Sequence, residues 1–467
     1  MLSLYQSSNL TSQRFIERRN FLRAGFLGLG GLTLPWLLQA KAMAAKSGLP
    51  NFVKDRSVVL LFLGGGASHI ETFNPNGGAS EPYRSVTGEV KTNIPGVSFG
   101  STFPELAKRA HRMAIVRSMQ HERNDHEQSI SMMLTGGTDP DGKRKEGFGM
   151  GAAHARVLGT STTGLPNNIV LTHPHSDGQY RKELERVVSG SRSGTLGAMY
   201  APYIPDATNE HSKSIRLQLP MERFVDRRTL AKSLDNFEQQ LDNTGNMAAF
   251  DEYQQQAYQM LMSGKTANLF DLSQEDPRIV ERYDTSSVQI GFKKREPSML
   301  GQQLLTARRL VEAGAGFVTV QSAGWDMHAD GNNPNMEVGM KMLGPTVDKA
   351  LSAFLDDLEQ RGLSQRVLTI ITGDFGRTPK LNNGGGRDHW SGLCTLALAG
   401  GGLSMGQVIG KSGAKNDVPN SEPIGIEHLL GTIFHYLFDV ASLRLAQGMP
   451  REILKLTENT KFIRELF

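Results

Sequence analysis

Side chains able to bind a metal ion or move a proton gather at a few short places in this sequence, each just after an apolar run. Ser68, His69 and Glu71 follow the run Ser57–Leu63, and His121, Asn124, Asp125 and His126 follow Met113–Val116. Asp326 and His328 follow Phe317–Gln321, and Asp374 follows Val367–Thr372. Beyond Asp374 a glycine loop, Gly384-Gly385-Gly386-Arg387, presents Asp388 and His389 beside Trp390. Imidazole and carboxylate donors of this kind suit zinc, manganese, iron, magnesium or calcium, and two neighbouring ions could share them. A pair of such ions can clamp an oxyanion and lower the pKa of a bound water. Arg377 can pair with a nearby carboxylate or neutralise an oxyanion, and the residue type alone does not choose between these roles. Each short motif also has a plainer reading. A D-x-H at a strand end is usually a hydrogen-bonded turn, His69 can be a satisfied histidine in a turn, and Asp125 is placed to cap a helix with Gln128 completing the box. The joint placement of several such groups at strand ends points to a site, because open α/β sheets bind ligands there.

The elements that must position these groups follow from periodicity. The runs named above and Thr395–Ala399 are rich in β-branched residues and do not alternate, as expected of strands covered on both faces. Gln303–Ala313, Val338–Leu358 and Ile426–Leu437 carry apolar residues at helical spacing. Strand and helix alternate from 303 to 399, which predicts a parallel sheet with right-handed crossovers. Residues 173–297 are richer in Gln, Asn, Asp and Arg, with helices expected near Arg228–Leu241 and Asp251–Met262. That stretch reads as a largely helical insertion packed on the sheet domain, a separate domain being the alternative. His173 and His175 within it read as a surface loop. His428 and His435 read as structural, and Trp390 as a packing residue.

The N-terminus carries a different signal. Arg18 and Arg19 precede Asn20-Phe21-Leu22-Arg23, followed by an apolar, glycine-broken stretch from Ala24 to Leu38 and a small-x-small site at Ala42-Met43-Ala44. This is the pattern of a twin-arginine signal, so residues 1–44 are expected to be removed on export to the periplasm or beyond. An uncleaved anchor helix is the alternative, although the apolar stretch is short for a membrane span. Residues 1–44 hold five basic residues and one acid, a net charge that equals the +4 of the whole chain. The remainder is therefore neutral, with no electrostatic footprint for nucleic acid. Cys394 is the single cysteine, which excludes an internal disulfide.

Together the segments LFLGGGASHIETFNP, HERNDHEQSISMMLTGG, GWDMH, GDFGRTPKLN, GRDHW and LAGGGLSMGQVIGKS resemble the bacterial family called domain of unknown function 1501. That family is related to the sulfatases within the alkaline phosphatase-like superfamily, and the resemblance runs from Ser57 to Leu437. It implies a three-layer α/β/α sandwich with a mostly parallel central sheet and a metal site at the strand ends. Asp326 and His328 match the aspartate and histidine of a late sulfatase strand. Thr372-Gly373-Asp374-Phe375-Gly376 resembles the T-S-D-H-G turn but has Phe375 at the histidine, and His389, beside Asp388, matches a later ligand. The first-strand aspartates of sulfatases fall on Gly65 and Gly66, so His69 or Glu71 would have to replace them. Aligning Leu134-Thr135-Gly136 on the sulfatase L-T-G places His126 where the nucleophile belongs, and no formylglycine cysteine or phosphatase serine is evident.

The expected function is an exported, metal-dependent hydrolase of sulfate or phosphate esters, with attack by a metal-bound hydroxide. His69, Glu71, Asp326, His328, Asp374, Asp388 and His389 are the expected ligands of one or more divalent ions (zinc, calcium, magnesium or manganese). Asp125 and His126 are further ligands or acid/base groups, and Arg377 faces the substrate oxyanion. The expected partners are an anionic small-molecule or polysaccharide substrate and the twin-arginine translocation machinery. A non-catalytic, metal-containing binding or assembly protein on the same fold is the alternative.

Overall fold

The five apolar runs and two further short segments form one sheet. The computed structural model describes residues 51–143, 147–159, 165–172, 180–205, 265–458 and 461–467. The expected export segment 1–44, His173, His175 and the helices expected near 228–241 and 251–262 lie outside these residues. The strands are β1 (Ser57–Leu63), β2 (Met113–Val116), β3 (Asn168–Leu171), β4 (Phe317–Ser322), β5 (Val367–Gly373), β6 (Leu396–Gly400) and β7 (Gln407–Ile409). Their spatial order is β7-β2-β6-β5-β1-β4-β3. β1 is the spine: it pairs in parallel with β4 (Leu61 opposite Val320) and with β5 (Leu61 opposite Ile371).

Every residue of β1 is buried, because helices cover both faces of the sheet. On one face Val59, Leu61, Val318 and Ile371 pack into a core with helices α4 (Leu300–Glu312) and α5 (Met336–Gln360). On the other face α2 (Met150–Leu158) brings Gly151 against Phe317, and α6 (Ile426–Leu437) brings Tyr436 against Leu368. Burying each aliphatic side chain contributes about 2 kcal/mol, so the unbroken apolar runs are what select the three-layer arrangement. The two remaining helices that concern the site are α1 (His126–Thr135) and α3 (Arg181–Gly190), which pack on each other. No described helix is long and apolar enough to cross a membrane.

One strand departs from the expected parallel pattern. β6 runs antiparallel to both β5 and β2. No crossover helix separates β5 from β6, so the chain returns directly instead of climbing back to the starting edge. The connection is a short hairpin in which Gly376 pairs with Trp390 and Arg377 with His389. β3 and β7, of four and three residues, are strands that the sequence reading does not pick out.

Helix ends place the site residues. Asp125 caps α1, its Oδ1 accepting the Gln128 N–H at 2.9 Å, and Gly136 closes the helix at φ 59°. Asn335 caps α5 in the same way through the Val338 N–H. The turn after β4 is tied to the end of β1 by the Trp325 N–H donating to the Gly64 carbonyl at 3.0 Å. Trp325 is fully buried beneath that turn.

Candidate metal centre

Three imidazoles and one carboxylate converge beyond the carboxyl ends of β4 and β5. One ligand atom from each of His126, Asp326, His328 and His389 lies within 4.8 Å of the others, and together they could hold a metal ion. Asp326 comes from the turn after β4, and His328 stands two residues beyond it. His126 is the first residue of α1, and His389 arrives on the hairpin that leaves β5. The short reach of each side chain is therefore set by rigid backbone.

All three imidazoles are held in one way. His126 Nδ1 lies 2.6 Å from Asp374 Oδ2, His328 Nδ1 lies 3.2 Å from Asp388 Oδ1, and His389 Nδ1 lies 2.7 Å from the Asn124 carbonyl. An oxygen acceptor at Nδ1 fixes the proton there and leaves the Nε2 lone pair facing inward. The three Nε2 atoms do face one another and Asp326. His328 Nε2 is 2.8 Å from His389 Nε2 and 2.8 Å from Asp326 Oδ1. His126 Nε2 is buried, makes no well-formed hydrogen bond, and has Asp326 Oδ2 at 3.3 Å. Inward lone pairs at such distances repel unless a proton or a cation sits among them, and this donor set fits a cation.

Protons do this duty when no ion is present. Burial disfavours a charged His126, but its contacts with Asp326 and Asp374 outweigh burial and raise its pKa to about 10. His328 is shifted upward in the same sense, burial again being overcome by Asp326. His389 is shifted downward by burial, because its contact with Asp326 does not offset it. Burial opposes the charge on Asp326, yet His126, His328, His389 and the Arg377 guanidinium hold its carboxyl well below the usual carboxylate range.

The other expected site residues are placed as follows. Asp374 is fully buried and stands behind His126, also accepting the Gly65 N–H at 3.2 and 3.3 Å. Asp388 stands behind His328, and the Asn382 amide donates to the same oxygen at 3.1 Å. Arg377 is buried and its donors go to the protein: Nε to the Gly66 carbonyl at 2.7 Å, Nη1 to the Arg387 carbonyl at 3.1 Å and toward His328 Nε2 at 3.3 Å, and Nη2 to Asp326 at 2.6 Å and to the Gly65 carbonyl. It thus fixes Asp326, and each of its nitrogens already has a protein partner.

Three residues are not brought to the cluster. Asp125 is spent as the α1 cap. His69 is buried with Nε2 at 2.9 Å from the Asn416 carbonyl, and burial depresses it to about 4. Glu71 is fully buried against Arg387 at 3.2 Å and also accepts the Ser85 hydroxyl at 2.6 Å and the Val86 N–H. A buried carboxylate that satisfied has no lone pair to spare for an ion.

The absence of first-strand carboxylates has a steric cause. Gly65 adopts φ 105° and a Cβ there would lie 2.6 Å from the Asp326 nitrogen. Gly66 adopts φ 82° and a Cβ would lie 2.5 Å from the Phe375 ring. No side chain fits at either position.

One buried carboxyl near the site comes from a region with no motif. Glu183 on α3 accepts the Gly324 N–H at 3.2 Å, fixing the turn that carries Asp326. Burial, reinforced by the charge of Asp374, pushes its pKa up to about 8. Its only sequence signal is a position four residues before Val187 on the inward face of α3, which cannot be read until that face is known. His121 was within the strand-end set and holds the Asp374 carbonyl at 2.7 Å through Nε2. His428, at the start of α6, accepts the Gly425 N–H, and Trp390 donates to the Asp417 carbonyl.

The chain belongs to the family described as "Protein of unknown function (DUF1501)", whose sequence profile matches residues 55–467. Among solved structures, PsFucS1 sulfatase from Pseudoalteromonas sp. is 14% identical, with 92% of this chain and 73% of that chain covered and a TM-score of 0.35. The phosphonate monoester hydrolase SpPMH from Silicibacter pomeroyi is 9% identical, with 82% and 73% covered and a TM-score of 0.36. Alkaline phosphatase from the Antarctic bacterium TAB5 is 10% identical, with 88% and 99% covered and a TM-score of 0.31. No curated protein matches the chain at a significant level.

Proposed function

We propose that this member of the DUF1501 family is an exported, metal-dependent hydrolase of sulfate or phosphate esters. The observation that carries the reading is the inward convergence of three Nε2 atoms and one carboxylate, each imidazole locked through Nδ1. His126, Asp326, His328 and His389 would hold the ion. Three nitrogen donors with one oxygen favour zinc, with manganese next; calcium and magnesium prefer all-oxygen sites. An ion bound there would supply Lewis-acid chemistry, polarising an ester oxygen and making water a stronger acid.

The protein's own groups supply position. Asp374, Asp388 and the Asn124 carbonyl fix the three rings, Arg377 fixes Asp326, and Glu183 fixes the turn beneath it. His126 falls where the sulfatase resemblance puts a nucleophile but would be committed to the ion, which leaves water as the attacking group. The working form is the chain after removal of residues 1–44 by the twin-arginine route, in the periplasm or outside the cell. The substrate is an anionic small molecule or polysaccharide.

A second reading is favoured by Arg377, whose saturated donors leave that cation unable to meet a substrate: a metal-containing binding or assembly protein without turnover. One experiment separates them. The mature protein is purified, its metal content measured, and aryl sulfate and aryl phosphate esters are assayed beside Asp326→Ala and His389→Ala variants. Roughly one ion per chain with turnover, both lost in the variants, supports the hydrolase. Metal without turnover leaves the binding protein, and a folded wild type that takes up no metal refutes both.

A further inference from the structure

A cavity lies beside β2 and β7, at one edge of the sheet. It is open to solvent and offers about 600 Å³, within the range that holds small ligands. β7 is three strands from β5, so roughly 14 Å separates this cavity from the strand that ends at Asp374. None of the four cluster residues lines it.

Its chemistry is set by Arg117, the first residue past β2. Arg117 Nη2 donates to the Phe73 carbonyl at 3.1 Å and the Ser98 carbonyl at 3.4 Å, which holds the guanidinium against the wall. Its Nε is buried without a partner, so the edge of the guanidinium left to meet a ligand is Nη1, which makes no hydrogen bond among the described residues. Among the described residues it makes no ion pair, an expensive state for a largely desolvated cation. Burial shifts its pKa downward, opposed only by the more distant charge of Glu89. Lys411 lines the same space with no ion-pair partner among the described residues. Two cations against one acid leave the lining net positive.

The walls are built before any ligand arrives. The Asn76 amide donates to the Ala414 carbonyl and the Asn74 amide to the Ser412 hydroxyl, both at 2.8 Å, so two loops are clamped across the cavity. No aromatic ring lines it. Affinity must come from charge and hydrogen bonds, not from stacking.

We infer that this cavity binds a hydroxylated anion, a sugar or polyol carrying a sulfate, phosphate or carboxylate group. The oxyanion meets Arg117 and Lys411, and the hydroxyls meet Glu89 and the exposed backbone of the glycine-rich loops. The inference is independent of any reaction at the cluster, because binding alone reads it.

The test is calorimetric titration of the mature protein with glucose 6-sulfate, glucose 6-phosphate and glucuronate, with glucose and inorganic sulfate as controls. At least one sugar anion is expected to saturate with a Kd of about 1 mM or tighter, with glucose silent. Lys411→Glu, on the exposed rim, is expected to weaken binding about tenfold, as for loss of one charge-assisted contact. Arg117→Met should abolish it, and Asp326→Asn should leave it unchanged. Four results overturn the inference: no saturation by any sugar anion in folded wild type; Lys411→Glu binding like wild type; loss of binding in folded Asp326→Asn, which moves the ligand to the cluster; or inorganic sulfate binding as tightly as the sugar anions.

Discussion

Replacing Asp374 by asparagine tests how the metal centre is built. The carboxylate accepts the Gly65 N–H on both oxygens and His126 Nδ1 on Oδ2. Asparagine keeps the shape and loses one acceptor. If its NH2 group takes the Oδ1 position it confronts the Gly65 N–H. If it takes the Oδ2 position it confronts His126 Nδ1–H and drives the proton to Nε2, the atom that must ligate. Either way one charge-assisted hydrogen bond is lost, worth about 1.5–3 kcal/mol. The expected loss of zinc affinity is thus about 10- to 100-fold, the usual effect of removing a partner behind a ligating histidine. Competition with a chromophoric chelator reads the affinity, and circular dichroism confirms that the variant folds. Wild-type affinity in folded Asp374→Asn would refute the orienting role. A loss far beyond about a thousandfold would place the carboxylate on the ion itself.

Gly66→Ala pushes a methyl group to within 2.5 Å of Phe375 at a φ of 82°. It should cost about 2–4 kcal/mol, visible as a lower urea midpoint, and an unchanged midpoint would contradict the packing described. Glu71→Gln leaves the fully buried Arg387 without its counter-charge. It should destabilise by about 3–5 kcal/mol in denaturant titration yet keep wild-type metal affinity, whereas metal loss without destabilisation would make Glu71 a ligand. His154 is buried with both ring nitrogens unpartnered, and burial depresses its pKa to about 4. Its folded pKa lies below the unfolded value, so stability is full above about pH 6.5 and falls as pH drops toward 4, by about 3 kcal/mol. His154→Leu should flatten that slope in urea melts across this range, and an unaltered slope would exonerate His154.

Much of the sheet was legible because an apolar run buried on both faces needs no partner to be recognised. Ser57–Leu63 and Ile426–Leu437 end where the pattern ends. The reversal of β6 was not legible in the same way, since it depends on the missing crossover and not on the strand's own residues. The site divides along a similar line. Asp326, His328 and His389 sit in local motifs whose chemistry is written in their residue types. What Glu71, Arg377 and Asp374 do depends on partners 316, 51 and 248 positions away: Arg387, Asp326 and His126. A glutamate paired with a buried arginine and a glutamate on an ion look identical in one dimension. Glu183 shows the converse, a site neighbour drawn from a helix with no motif at all.

The hairpin leaving β5 carries a further consequence. His389 faces the cluster because it stands opposite Arg377 in a two-pair ladder, and side chains alternate faces along a strand. A slip of one residue would turn His389 outward and bring Asp388 or Trp390 in its place. The tip between Thr378 and Asp388 can therefore vary in length among relatives only where the ladder is kept in frame. The hairpin acts as a ratchet on the chemistry, holding the third imidazole at one tooth.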